Sequence, residues 1–411
     1  MKYNSIKIFI IFVFLFVNNI GLPFGLQYTT LLAPLFFFYT CSNFWKPYLI
    51  GLLVFVVFFI LQYFGGITSY PKYFSSAALH FSVLITCVAF YKILKQDPEI
   101  LYKAFDKSVP INFMLTVAAV LLLLGGNTDM WQTAITSGAF AKLPRLRMFT
   151  YEPSYYSTLM APLFLYYFVR WLENVKIYNL FSLFLICISL LLSLSIGVLF
   201  ALIITVLLVN LLTLKKRTII LFFVSLILFL IGTAILFVVS PNNPLILRVI
   251  SVVSGSDVSG NARLFESWTL AFDILDKHHS YFTGVGWGNV PVVGHDLIQS
   301  FYGYADDNTT AAYTLPNIVC EILAMTGFVG VSLFIWLQLY LYRVTDVKNS
   351  IFRKYLFWFI FIYQFTGSYS TSVINYALFI MAYYKPMDLY FLKYKVSRKS
   401  KKRAHYNINL T

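Results

Sequence analysis

Residues 177–214 read IYNLFSLFLICISLLLSLSIGVLFALIITVLLVNLLTL, and Lys215, Lys216 and Arg217 follow. The run is apolar for 38 residues. A bilayer's hydrocarbon core is crossed by about 20 helical residues, so this stretch is too long for one span. The pentapeptide SLSIG at 193–197 is the expected break, giving spans at about 177–192 and 196–214. The cationic triplet then closes the second span at a cytoplasmic end, where Lys and Arg accumulate.

The same arithmetic extends in both directions. Hydrophobic residues make up 59% of the 411-residue chain and charged residues only 11%, against about 25% charged in a soluble domain. A soluble all-α protein would need polar helix faces that are missing here. The reading is an all-α polytopic membrane protein of about 12 transmembrane helices. Expected spans run at about 6–20, 22–40, 47–64, 76–94 and 109–125. A sixth starts near Pro153, a residue suited to a helix's first turn; the later ones are 177–192, 196–214, 218–240, 315–342, 355–369 and 372–392. The chain thus divides into helices 1–9 (1–240), a long periplasmic loop (241–314), helices 10–12 (315–392) and a basic cytoplasmic tail (393–411). The N-terminal segment reads as an uncleaved first helix, because no small-residue cleavage site follows it.

A formal charge of +15 raises the question of nucleic acid, and its distribution answers it. With the N-terminus inside, only Lys72, Lys142, Arg145, Arg147, Arg248, Arg263 and Lys277, of 31 basic residues, fall on the outer side. This is the positive-inside asymmetry of a multi-pass protein with both termini cytoplasmic. The tail KYKVSRKSKKR suits solvent or anionic lipid. Cys41, Cys87, Cys187 and Cys320 are scattered without CxxC spacing, so neither disulfides nor a cysteine metal site is expected.

The loop 241–314 is the one long polar segment. It holds His278, His279 and His295, and loops of this length without function are uncommon. Three constellations fall on the outer side. The first is KLPRLRMFTYEPS (142–154). Arg145 and Arg147 are permanently charged groups that grip phosphates by forked hydrogen bonds, or else interfacial anchors. Glu152, before Pro153, either complements the helix dipole or acts as a base. The second is SGNAR (259–263), Trp268 and GVGWGN (284–289). Leu264, Trp268, Ala271, Phe272 and Leu275 have the spacing of an amphipathic helix lying on the membrane. The glycines permit a tight turn and close backbone approach. Trp287, Tyr302 and Tyr304 either stack on sugar rings or sit at the interface. The third is Pro316-Asn317, followed by Glu321 and by Gly327 and Gly330. Asn317 and Glu321 share a helical face, a carboxylate inside a span is costly and usually functional or paired, and the glycines suit helix packing.

Together these residues resemble the O-antigen polymerase and ligase superfamily of bacterial envelopes. The likeness rests on Arg145 ahead of Glu152-Pro153-Ser154, on Arg263 with Trp268 and Gly284-Val285-Gly286, and on Asn317 with its glycines. Ligases of that superfamily carry histidine immediately before the position of Asn317, where this chain has Pro316, so the resemblance favours a polymerase of the Wzy type. It implies a substrate of oligosaccharide repeat units on undecaprenyl diphosphate in the inner membrane, and a chain-length regulator as a further partner. In that setting Arg145, Arg147 and Arg263 would hold the diphosphate in place of a metal ion, with Trp287 and Asn317 as further substrate contacts. Glu152, His295 and Glu321 are the candidate bases for the acceptor hydroxyl. No cofactor and no metal is expected, Asp306-Asp307 being a poor metal pair. The alternatives are an O-antigen ligase, a flippase for the same lipid-linked sugars, whose route would be lined by intramembrane charge, and an undefined transporter.

Overall fold

The computed structural model describes residues 28–132, 144–173, 176–213, 261–302, 315–367 and 369–387. The expected spans at 6–20 and 218–240, the tail, Lys142, Arg248, Tyr304 and Asp306-Asp307 lie outside these residues. The described chain is almost wholly helical. In order it forms α1 (Tyr28–Thr40), α2 (Trp45–Phe64), α3 (Tyr70–Gln96), α4 (Glu99–Leu124), β1 (Trp131–Gln132), β2 (Arg145–Leu146), α5 (Pro153–Glu173), α6 (Ile177–Ser193) and α7 (Ile196–Thr213). Beyond residue 260 come a π-helical turn (Ala262–Glu266), α8 (Ser267–Lys277), α9 (Val290–Val293), α10 (His295–Tyr302), α11 (Ile318–Val344), α12 (Ile351–Tyr363) and α13 (Val373–Tyr383).

Four described helices, α2, α3, α4 and α11, are long and apolar enough by themselves to cross a membrane. Their apolar residues are not all turned inward: Leu53 of α2 is 61% exposed and Leu124 of α4 80%. Such an apolar exterior suits hydrocarbon, and in hydrocarbon the helix is favoured because it satisfies its backbone polar groups internally. Several polar side chains inside the bundle are paired for the same reason. Gln338 and Gln364 exchange two amide hydrogen bonds at 3.0 Å, the Tyr355 hydroxyl donates to Asn210 at 2.6 Å, and Asn112 joins Ser189 and Tyr156 at 2.9 and 2.7 Å.

The break in the 38-residue run falls where SLSIG places it. Leu194 takes a left-handed conformation (φ 49°) and closes α6, and α7 starts at Ile196. Elsewhere the boundaries move. The residues between the expected spans at 76–94 and 109–125 are helical except at Asp97-Pro98, since α3 runs to Gln96 and α4 begins at Glu99. Polar side chains there extend the helices beyond their apolar parts without ending them. The helix expected to lie on the membrane packs one face on the protein. Leu270, Ala271, Ile274 and Leu275 are buried with the first half of α11 and with Val290 and Val293, while Leu264, Phe265 and Phe272 stay exposed.

Contacts between elements gather the helix ends into two groups, one at each pole of the bundle. At one pole gather the ends of α2 and α6 and the starts of α3, α5, α7, α11 and α13. At the other, Arg170 pairs with Asp106 at 2.9 Å, and fully buried Arg353 donates to the carbonyls of Ala382 and Thr345 at 2.8 and 2.5 Å.

Candidate active site

The site lies at the first of these poles and is assembled from chain segments far apart in sequence. Glu152 ends the β2–α5 connection. Its carbonyl accepts from the amides of Tyr155 and Tyr156 at 3.2 and 3.4 Å, so it caps α5 as its backbone starts the helix. Its carboxylate Oε1 accepts from the Ser154 hydroxyl and faces Nη2 of Arg263 at 3.8 Å. The position suits the dipole-complementing reading of Glu152, and the carboxylate faces a cation as well. Burial works against the charge on Arg263, and Glu152 opposes that burial, leaving the guanidinium's pKa above its ordinary value. Tyr155, Tyr363 and Tyr369 lie within electrostatic reach of the same guanidinium, and the rings of Tyr155 and Tyr369 stack with centroids 6.0 Å apart.

Asn317 fixes this arrangement from beneath. Its Oδ1 accepts from the amides of Val319 and Cys320 at 3.0 and 3.3 Å, capping α11. Its Nδ2 donates to the carbonyls of Arg263 and Phe365 at 2.9 and 2.7 Å. The side chain is fully buried and both amide protons are used, so its hydrogen bonds go to the backbone around the site. One turn along α11, Glu321 accepts from the Ser370 amide at 2.7 Å. The turn after α12 is thereby held at both its near end, through Phe365, and its far end, through Ser370.

Arg145 sits on β2, whose antiparallel register with β1 sets Trp131 opposite Leu146. The Trp131 indole N–H donates to the Ala119 carbonyl at 2.8 Å and anchors the ribbon to α4. Arg145 then reaches the carbonyls of Ser193 and Leu194 at 3.4 Å, at the α6–α7 break. The Ser193 hydroxyl in turn meets Ser157 of α5 at 2.5 Å, so Arg145 joins the α6–α7 break to the helix that Glu152 begins. Arg147 points elsewhere: Nη1 and Nη2 donate to the carbonyls of Tyr151 and Asp129 at 3.5 and 3.1 Å. His295 starts α10, is nearly half exposed and lies 3.2 Å from its neighbour Asp296.

The glycines form one clasp. Gly327 interrupts α11 with φ 65° and ψ −168°, and the segment 281–286 supplies partners at the break. Phe328 and Val329 donate to the carbonyls of Tyr281 and Phe282, while Val285 and Gly286 donate to those of Ala324 and Met325, at 2.8–3.2 Å. A Cβ on Gly284 would stand 2.3 Å from the Met325 carbonyl carbon, and one on Gly327 2.4 Å from that of Phe282. Gln62 of α2 bridges the carbonyls of Thr283 and Met325 at 2.9 and 2.8 Å. Trp287 follows the clasp and stacks on His80 of α3, centroids 5.4 Å apart and planes at 19°. Both line an apolar cavity of about 450 Å³ between α2 and α3.

The structure thus joins Glu152, Arg263, Asn317 and Glu321, ties Arg145 to the same helix start, and connects Trp287 to them through His80 and Ser370. It adds Tyr155, Tyr363, Tyr369, Ser370 and His80, which sequence reasoning passed over. Two signals were present: a histidine inside an apolar span, and the polar interruption QFTGSYSTS at 364–372. Among the described residues no group of His, Cys, Asp and Glu side chains could hold a metal ion.

Residues 181–335 match the family model described as O-Antigen ligase. The match takes in Arg263, Trp287, His295, Asn317 and Glu321 and is consistent with a member of the O-antigen polymerase and ligase superfamily. No curated protein matches the chain.

Proposed function

We propose that this chain, with its O-antigen ligase family match over 181–335, polymerises oligosaccharide repeat units carried on undecaprenyl diphosphate. In this reading it works at the periplasmic face of the bacterial inner membrane, with twelve spans, both termini cytoplasmic and the segment 241–314 as a periplasmic loop. The observation that carries it is the gathering of Arg263, Glu152, Asn317 and Glu321, with Arg145 beside them, at one pole of the bundle.

Glycosyl transfer requires a leaving group stabilised as it departs and an acceptor hydroxyl relieved of its proton. The bond from the anomeric carbon of the growing chain to its lipid diphosphate breaks. A bond from that carbon to a hydroxyl at the non-reducing end of the incoming unit forms. Fixed guanidinium groups suit the first demand, because charge placed in advance stabilises the departing diphosphate without reorganisation. Arg263 is held by Glu152 and by the backbone bond to Asn317 in a place where an anionic group can compete for it. A carboxylate meets the second demand. Arg147 and His295 belong to the rim in this scheme, Trp287 to the sugar or lipid portion, and no metal takes part.

The ligase reading has one observation in its favour, the description of the matching family; Pro316 in place of the ligase histidine supports the polymerase. A deletion separates them. Loss of a polymerase leaves lipid A core bearing one repeat unit. Loss of a ligase leaves core with none while lipid-linked polymer accumulates. Loss of a flippase leaves the units on the cytoplasmic leaflet.

A further inference from the structure

His80 is placed in a way the reaction scheme does not use. Its Nδ1 lies 2.8 Å from the Ser76 carbonyl, which only accepts, so Nδ1 carries the ring's proton and Nε2 of the neutral ring is bare. Nε2 lies 3.1 Å from the Ser370 hydroxyl. The same serine donates its amide to Glu321 Oε2 at 2.7 Å, and its hydroxyl, with a single proton to donate, turns either to the Glu321 carboxylate or to the bare Nε2. The Ser370 carbonyl accepts from Tyr376 at 2.8 Å, which fixes the turn. Trp287 covers the imidazole from the clasp side. The hydroxyl of a nearly fully buried serine therefore stands between a carboxylate and a bare ring nitrogen. Glu152, by contrast, already faces a guanidinium and accepts from Ser154.

We infer that Glu321 is the general base and that Ser370 and His80 are positioning residues forming a proton relay behind it; this deepens the polymerase reading and rests on it. Glu321 takes the proton of the acceptor hydroxyl as the new glycosidic bond forms. The carboxylic acid passes that proton to Ser370 Oγ while the serine's own hydroxyl proton moves to His80 Nε2. Glu321 returns to a carboxylate while His80 carries the charge only transiently. The same path run backwards discharges it through Glu321 once the product has left. Titratable neighbours facing the relay are Tyr155 of α5, Tyr369 of the turn and Tyr376 of α13, each in the field of Glu321, and Cys87 of α3, which faces Tyr376.

Full-length protein is reconstituted in liposomes with lipid-diphosphate-linked oligosaccharide extracted from cells lacking the gene, and initial elongation rates are measured. Ser370→Ala keeps the amide that holds Glu321 and loses only the hydroxyl, so kcat falls about tenfold or more with KM unchanged. His80→Gln, which hydrogen-bonds but stores no proton, falls likewise, and Ser370→Thr restores the rate. A purely structural role would lower the amount of folded protein and leave kcat per folded molecule intact. Wild-type kcat in either Ser370→Ala or His80→Gln overturns the relay while the polymerase stands. If the wild-type protein elongates nothing and instead transfers the oligosaccharide to lipid A core, the polymerase reading falls and the relay with it.

Discussion

Replacing Asn317 by alanine separates a residue that binds substrate from one that builds the site. The amide has four protein partners, two helix amides and two carbonyls, and no exposure. Losing an N-cap costs about 1 kcal/mol. Each of the two Nδ2 bonds contributes about 1 kcal/mol net, and more where the abandoned carbonyl is left dry. The expected destabilisation is therefore about 3 kcal/mol, a large fraction of the stability of an ordinary domain. Because one of the abandoned carbonyls belongs to Arg263, the loss also loosens the guanidinium. Purified Asn317→Ala protein should lose monodispersity on heating well below the wild type, and cells carrying it should show shortened polymer. Asn317→Asp keeps the cap but sets an acceptor against two carbonyls, so it should be no more stable than the alanine variant. An Asn317→Ala protein as heat-resistant as the wild type, with a raised KM alone, would refute this reasoning and make Asn317 a ligand contact.

The glycine clasp should tolerate no Cβ: Gly284→Ala and Gly327→Ala each combine a left-handed φ with backbone contact closer than 2.5 Å, costing about 2–4 kcal/mol, and membrane yield should drop sharply in both. Gln62→Ala removes two buried bonds to the clasp and should cost about 2 kcal/mol, read as earlier thermal aggregation with polymer still made. Arg263→Ala and Arg145→Ala should each abolish long polymer while the protein remains in the membrane; wild-type chain lengths in both would reject their role. Cysteines placed at 145 and 263 should react with an impermeant maleimide added to spheroplasts, and labelling only after lysis would place the site on the wrong side.

The helical membrane character and the 193–197 break were legible because they follow from length and apolarity alone, which are local. Arg145, Arg263, Glu152, Asn317 and Glu321 were legible as charged or polar residues beside long apolar runs. Their partnerships were not, since the Arg263–Glu152 pair and the Asn317 bridge join segments that only tertiary packing brings together. The same limit explains the glycines. Close backbone approach could be read at 284–286, yet nothing in the order of residues says that the approaching strand is the interruption in α11. For the 262–277 segment, periodicity reveals an apolar face but not that Leu270, Ala271, Ile274 and Leu275 are covered by protein. His80 escaped notice although the solvation argument applied to Glu321 applies equally to an imidazole within a span.

The interruption at Gly327 divides α11 into a short upper stub, carrying Asn317 and Glu321, and a long shaft below. At the joint the stub is bonded to segment 281–286 and to Gln62. A straight rod would swing its tip whenever it tilted to match a thicker or thinner bilayer, as spanning helices do. Here the tip belongs mechanically to the cap of the molecule, and the shaft can lean without dragging the carboxylate out of register, so turnover should be largely indifferent to acyl-chain length in the surrounding lipid.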